Sequence, residues 1–490
     1  MLNVSLGNRV SWIGDGRELE QIAPYFQFRL PGYQFTPAYR NKKWDGYVKY
    51  LNNGQVPTGL FLTYRRLIEE EEGVRFRLYD ERVRPKYNAA VLQELLEGRT
   101  KAFDYQIEAV QTMVRKSKTG GIILSATGSG KTFLAGQYFR VHKGRGLFIV
   151  DERLLLQQAR EELEAAMGER VGIIGDQQYQ LRRVNVGTVQ TLDLLIGSER
   201  GKAVAESKEL VMVFDELHLM LNKRSFDVAN WYAPVASFGL TATLELSKPA
   251  VQIQAAALCG PVIYRYDYKR GRADKRLAGG IVMGVDIVRD VLPREPDEEY
   301  ASYYRHCIVN SKRRNRAIVD LVKEGVKRGK YIIVLVERVA HVTRLAKRLE
   351  GLPVDIVFGK RKTNERARSK ARFEAGALRV IIANKVFKKG INLKRCDVII
   401  DAAGMKNRND AQQKYGRGVR LFAQKRGLLY FDIGDRSLSG LEDQNTWQQG
   451  TQIRRKALAD LGVTVKTRRW KRNAAASLFD AAEKALRKET

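Results

Sequence analysis

The chain has 490 residues and carries 87 lysines and arginines against 55 aspartates and glutamates, a formal net charge of +32. That length exceeds one ordinary domain, and a cationic excess of that size points to a polyanionic partner, because lysines and arginines that neutralise phosphates release counterions. Three cysteines and four histidines, scattered without metal-ligand spacing, exclude a disulfide framework and a zinc site, and no apolar run is long enough to span a membrane.

Met1–Gly7 does not lead into a signal-peptide core, so the expected location is cytoplasmic. Residues 1–98 read as a small α+β module, with strand-like pieces at Leu60–Tyr64 and Val74–Tyr79 and a turn at Asn52-Asn53-Gly54. Within it, Arg40, Lys42 and Lys43 precede Trp44-Asp45-Gly46. The three cations are candidates for contact with a nucleic-acid backbone, while Trp44 reads as a core ring followed by a turn.

Residues 99–268 alternate short apolar strands (Gly121–Ser125, Leu147–Val150, Val211–Phe214 and Phe238–Leu240) with helical patterns. That rhythm indicates a parallel sheet covered on both faces. Residues 269–310 read as a connector opened by the charged stretch Lys269–Lys275. Residues 311–440 repeat the rhythm, with strands expected at Tyr331–Val336, Val354–Val357, Val380–Ala383, Val398–Ile400 and Leu428–Phe431. Residues 441–490 form a basic C-terminal extension with a helical run at Ala474–Lys488. Trp470 among its cations suits backbone attraction with base stacking, and a solubilising tail is the alternative.

Three motifs carry chemistry. Ser125–Thr132 follows an apolar strand and precedes a helical pattern, the setting of a phosphate loop. In that reading Thr127, Gly128, Ser129 and Gly130 turn backbone N–H groups toward phosphate oxygens. Lys131 reaches the β- and γ-phosphates of ATP, and Thr132 ligates Mg2+. The first loop position is Ser125 rather than glycine. Second, the apolar strand Val211–Phe214 ends in Asp215-Glu216: the aspartate can hold Mg2+ and the glutamate can orient and deprotonate the attacking water. Third, Gln413-x-x-Gly416-Arg417-x-x-Arg420 sets two arginines on one face if helical. They read either as clamps on a transferring phosphoryl group or as a solvated basic face.

Together these motifs resemble the superfamily-two helicases of the Asp-Glu-x-His type. Other segments match in order. Phe103-Asp104-Tyr105-Gln106 resembles the adenine-reading glutamine motif, with Phe103 where relatives often carry an arginine. Val150–Gln157 and Val186–Leu192 are similar to strand-contacting motifs, which assigns nucleic-acid contact to Arg153, Thr188 and Gln190. Gly239–Thr243 is similar to the coupling motif, with Thr241 and Thr243 near the strand. Ile381–Lys385 and Gly390–Leu393 resemble the fifth motif, which places Lys385, Lys388 and Lys389 on nucleic acid and Gly390 and Asn392 near nucleotide.

The pattern is most similar to the phage UvsW-type recombination and repair helicases, with an XPB-like motor core. The resemblance implies two tandem RecA-like domains with ATP between them. Lys131, Asp215 and Glu216 would be catalytic on the first, and Gln413, Arg417 and Arg420 on the second. It further implies a monomeric motor in the host cell that tracks single-stranded DNA and unwinds forks, D-loops and Holliday junctions in recombination, repair or replication. RNA as the track, or a non-unwinding translocase subunit of a larger complex, stays open.

Overall fold

The computed structural model describes residues 1–207, 209–289, 298–358, 363–384, 395–404, 406–419, 427–437 and 446–488. The chain divides into two compact units, Met1–Ser125 with Gly130–Tyr266 and Ala126–Ser129 with Asp267–Thr490.

The first unit contains an eight-stranded sheet in the order Gln178–Gln180, Gly172–Gly175, Val184–Thr188, Gly146–Val150, Val211–Asp215, Ala236–Thr241, Gly120–Ser125 and Val262–Tyr266. Only the Gln178–Gln180 edge pairing is antiparallel among these ladders. The central strands are apolar on both faces, as a sheet covered by helices requires. Every strand expected here is found, within two residues at either end.

A separate four-stranded sheet (Gln55–Pro57, Val10–Ile13, Leu2–Leu6, Phe76–Asp80) builds the N-terminal module. Asn53 and Gly54 both have positive φ, 48° and 75°, in the tight turn closed between Asn52 and Gln55. The expected strand Leu60–Tyr64 is corrected: it lies inside the helix Thr58–Glu71. Leu60, Phe61 and Ile68 make its buried stripe, and Arg65–Glu69 and Arg66–Glu70 pair one turn apart on the outside.

The module shares its apolar cluster with the rest of the first unit. Arg9 Nη1 donates to the carbonyls of Ala257 and Leu258, each at 2.8 Å. Asn8 donates to the carbonyls of Val83, Lys118 and Val235. A Cβ on Gly59 would lie 2.6 Å from the Ala256 carbonyl oxygen, so only glycine permits that helix approach.

The second unit holds a seven-stranded parallel sheet, ordered Val354–Val357, Val380–Ala383, Ile332–Leu335, Val398–Asp401, Leu428–Arg436, Gly280–Val288 and Val465–Arg469. Two expectations are corrected by it. The stretch expected as a connector supplies Gly280–Val288, buried almost throughout and paired on both sides. The basic extension is folded in: Val465–Arg469 is the edge strand and Ala475–Leu486 buries Leu478, Phe479 and Ala482. Trp470 is 7% exposed in that core, so its ring is not offered to bases. The cations before it point to water from an exposed edge strand, which is why the segment reads as a tail. No helix among the described residues is long and apolar enough to cross a membrane.

Candidate nucleotide site

Gly120–Ser125 runs buried between two neighbouring strands and ends at the loop. Gly128 and Gly130 then adopt φ of 91° and 77°, a left-handed region that costs other residues roughly 1–2 kcal/mol. The helix Lys131–Val141 starts directly after Gly130, and no side chain caps it. Its first N–H groups and positive dipole end suit an anion. A Cβ at Gly130 would lie 2.8 Å from Gln106 Nε2, the end of a side chain that can shift, so it is φ that calls for glycine there. Lys131 is 9% exposed, with its Nζ 3.7 Å from Glu216 Oε1.

Asp215 closes the strand Val211–Asp215. Burial, and next the Glu216 charge, push its carboxyl up to about 7, against the pull of Lys131. Glu216 itself sits at φ 48°, ψ 52°, a conformation that costs a non-glycine residue about 1–3 kcal/mol and persists where the surroundings impose it. Among the described residues its Oε2 is buried with no hydrogen-bond partner. The buried Asp215 carboxylate, and the Thr132 hydroxyl in the first turn of the loop helix, are hard-oxygen donors of the kind that fits Mg2+.

His218 completes the strand-end motif. Its Nδ1 is 2.9 Å from Thr241 Oγ1 and 3.6 Å from Glu216 Oε2. The Thr241 hydroxyl donates to the Thr243 carbonyl at 2.9 Å. Its single proton is then used, so its oxygen accepts from His218 Nδ1–H. Burial lowers the His218 pKa and keeps the ring neutral. Parallel pairing of Asp215 with Leu240 brings the two strand ends together.

In the second unit, the helix Arg408–Gly418 carries Gln413 and Arg417 one turn apart. Both line a small pocket with Glu337, Asn384 and Asp410. Lys414, which sequence reading passed over, anchors the helix: its buried ammonium lies 3.0 Å from each Asp401 oxygen and 2.9 Å from Asp410. Arg420, Lys385, Lys388, Lys389, Gly390 and Asn392 lie outside the described residues.

The other expected side chains separate by exposure. Arg153 is exposed in the first turn of Arg153–Met167, and Gln190 is exposed beside the Asp151 carbonyl. Thr188 is 1% exposed and caps the next helix by accepting from Thr191 N–H. Thr241 and Thr243 are 0% and 4% exposed. All three threonines are buried at or just beyond the ends of their strands. Arg40, Lys42 and Lys43 line an open groove of about 770 Å³ with Tyr39 and Trp44. Trp44 is half-buried rather than a core ring, and donates from Nε1 to the Tyr47 carbonyl at 2.8 Å. Tyr105 is buried, stacked at 3.8 Å on Tyr266, a partner with no signal in the sequence.

Residues 99–246 match the family model described as the type III restriction enzyme res subunit, and residues 313–422 match the helicase conserved C-terminal domain. The chain belongs to the superfamily-two helicases. As such it is an enzyme, a nucleic-acid-dependent ATPase. The helicase is 24% identical over 461 residues to the ATP-dependent DNA helicase uvsW of Enterobacteria phage T4, covering 85% of this chain and 86% of that one. It is 23% identical over 370 residues to the DNA 3'-5' translocase XPB2 of Sulfurisphaera tokodaii, covering 66% and 80%. Among solved structures, S. cerevisiae Dbp5 bound to RNA and ADP BeF3 shares the fold, with a TM-score of 0.54, 17% identity and coverage of 82% and 97%.

Proposed function

We propose that this helicase hydrolyses ATP at the Gly128–Thr132 loop and uses the energy to move on DNA and to unwind or remodel branched DNA. The observation that carries this reading is the convergence of Lys131, Asp215 and Glu216 beyond the ends of the two strands that flank Ala236–Thr241, with His218 tying Glu216 to Thr241.

In this reading the loop N–H groups and the start of Lys131–Val141 hold the triphosphate, and Lys131 holds the β- and γ-phosphate oxygens. Glu216, with one oxygen buried 3.6 Å from His218 Nδ1, takes a proton from the attacking water. Thr132 and Asp215 would hold Mg2+, which supplies charge neutralisation at the phosphates when bound. Arg417, Arg420 and Gln413 are proposed to meet the charge that develops on the transferred phosphoryl group. His218 senses the state of Glu216 and passes it to the Thr241–Thr243 segment.

DNA is favoured over RNA as the track because the relatives above are named as a DNA helicase and a DNA translocase. A charge of +32 supports phosphate-directed, sequence-independent contact. Exposed Arg153 and Gln190, the groove of Arg40, Lys42 and Lys43, and Lys385, Lys388 and Lys389 are the proposed contacts. Steady-state ATP turnover measured with single-stranded DNA, forked DNA and RNA tests the reading. Stimulation by DNA is expected, and stimulation by RNA alone would reverse the choice of track.

A further inference from the structure

The four-stranded sheet of the N-terminal module is covered on one face. Leu2, Val4, Leu6, Ile13 and Val56 turn inward. On that side Phe61 of the helix Thr58–Glu71 meets Phe76 edge-on at 5.2 Å. Alternation along each strand sends the residues between them to the other face. A sheet face left to water is ordinarily polar. This one carries two large rings: Trp12 is 54% exposed and Tyr79 is 48% exposed.

Strand pairing sets the two rings in one row. Ser5 pairs with Trp12 on one side and with Tyr79 on the other, and Trp12 pairs in turn with Gln55. Residues paired across strands share a face, so Trp12 and Tyr79 flank the small Ser5 side chain. Two strand spacings, about 10 Å, separate them. Among the described residues neither ring stacks on another aromatic ring, and neither has a hydrogen-bond partner for its polar atom. In the next row Asn3 pairs with Arg77, and Arg75, two residues earlier, is exposed as well. Among the described residues no carboxylate pairs with either arginine. Asp80, at the end of the same strand, is tied to Arg82 and Lys118, each at 2.7 Å.

An indole and a phenol ring on an open sheet face, with guanidinium groups beside them, suit one unpaired nucleic-acid strand. Bases stack on aromatic faces whatever their identity, while cations meet the phosphates. A four-stranded sheet that presents aromatic side chains on its face stacks two or three bases in this way. The spacing selects against a duplex. Neighbouring bases in a stacked strand rise by about 3.4 Å, whereas rings about 10 Å apart take bases that have been splayed out of the stack.

We propose that this face binds single-stranded DNA, with unpaired bases stacked on Trp12 and Tyr79 and the backbone held at Arg77 and Arg75. The choice of DNA rests on the proposed function, but the stacking itself needs no ATP. The test therefore uses the full chain without nucleotide. Oligodeoxythymidine carrying 5-iododeoxyuridine is irradiated on the protein, and the adducts are mapped by peptide mass spectrometry. Adducts at Trp12 or Tyr79 are expected, and adducts confined to other residues overturn the proposal. Affinity then separates stacking from folding. Trp12→Ala and Tyr79→Ala are each expected to weaken binding of oligodeoxythymidine by about fivefold or more. Blunt-duplex affinity and the melting midpoint should change little, and Trp12→Phe should recover most of the loss. Unchanged single-strand affinity, or an equal loss for the duplex, overturns the proposal. Arg77→Ala is expected to lower the slope of log affinity against log salt by roughly 0.7, and an unchanged slope would contradict the backbone contact. Self-association that depends on these rings, with DNA affinity untouched, would mark the face as a protein contact and overturn the proposal. Ring-dependent single-strand binding by a chain that turns over no ATP would leave this surface standing and refute the motor. DNA-stimulated turnover, with single-strand affinity indifferent to both rings, would do the reverse.

Discussion

His218 Nδ1 donates to Thr241 Oγ1 at 2.9 Å, joining the end of one sheet strand to the end of its parallel neighbour. Glu216 Oε2 stands 3.6 Å from the same nitrogen. One imidazole therefore touches both the proposed water-activating carboxylate and the segment that follows Thr241. Replacing Thr241 by valine removes the acceptor and keeps the volume. The Thr241→Val variant is expected to keep ATP turnover within about tenfold of the parent while losing strand displacement. Displacement per ATP hydrolysed is the quantity to measure, and an unchanged ratio would argue that the link is structural.

Lys131→Ala removes the buried ammonium at the start of the loop helix. ATP turnover is expected to fall to background, whereas DNA affinity at fixed salt should change little. Turnover near the parent rate would remove the whole account of the site.

Glu216→Gln keeps shape and removes the proposed base. A loss of roughly 100-fold or more in kcat is expected, within the range that a positioned general base contributes. Nucleotide binding should persist, and a stopped-flow comparison of binding and turnover separates the two.

Arg417→Ala is expected to lower kcat more than it weakens nucleotide affinity, since a phosphoryl-clamping arginine acts mainly in the transition state. Equal losses in both would mark Arg417 as a structural residue of its helix. Lys414→Met is the contrasting variant. It leaves Asp401 and Asp410 buried without their cation, a change that costs about 3–5 kcal/mol, and is expected to lower the melting midpoint first.

His341 gives a pH dependence with a definite sign. It is fully buried, Nε2 donates to Asn315 Oδ1 at 2.7 Å, and burial followed by the nearby arginines 314, 344 and 348 lowers its pKa to about 3. The unfolded chain binds a proton near 6.5 that the folded chain refuses until about 3. Stability from the neutral ring is complete above that upper value and declines as pH falls through the window. The melting midpoint of the parent should therefore drop more steeply between pH 7 and pH 4 than that of His341→Gln. Parallel curves would contradict the assignment.

The sequence made the phosphate-loop half of the site legible because its parts are local. A strand, a glycine turn and a helix start follow one another in Ser125–Thr132, and Asp215-Glu216 closes an apolar run. What it hid depends on neighbours distant in the chain. Tyr266 stacks on Tyr105 because the sheet places them together. Thr241 meets His218 through strand pairing, which buries its side chain. Gly280–Val288 was masked by the charged stretch before it. Leu60–Tyr64 is too short an apolar run to separate strand from helix by periodicity, and only the paired charges farther along its helix reveal the turn.

The central claim is that ATP hydrolysis at Lys131, Asp215 and Glu216 drives movement on DNA that separates strands. Displacement of a labelled strand from a forked duplex by the purified chain, with ATP and Mg2+, tests it most directly. The account expects displacement that requires ATP and disappears in Glu216→Gln. DNA-stimulated ATP turnover with the fork left intact would contradict it and mark the chain as a translocase that does not unwind.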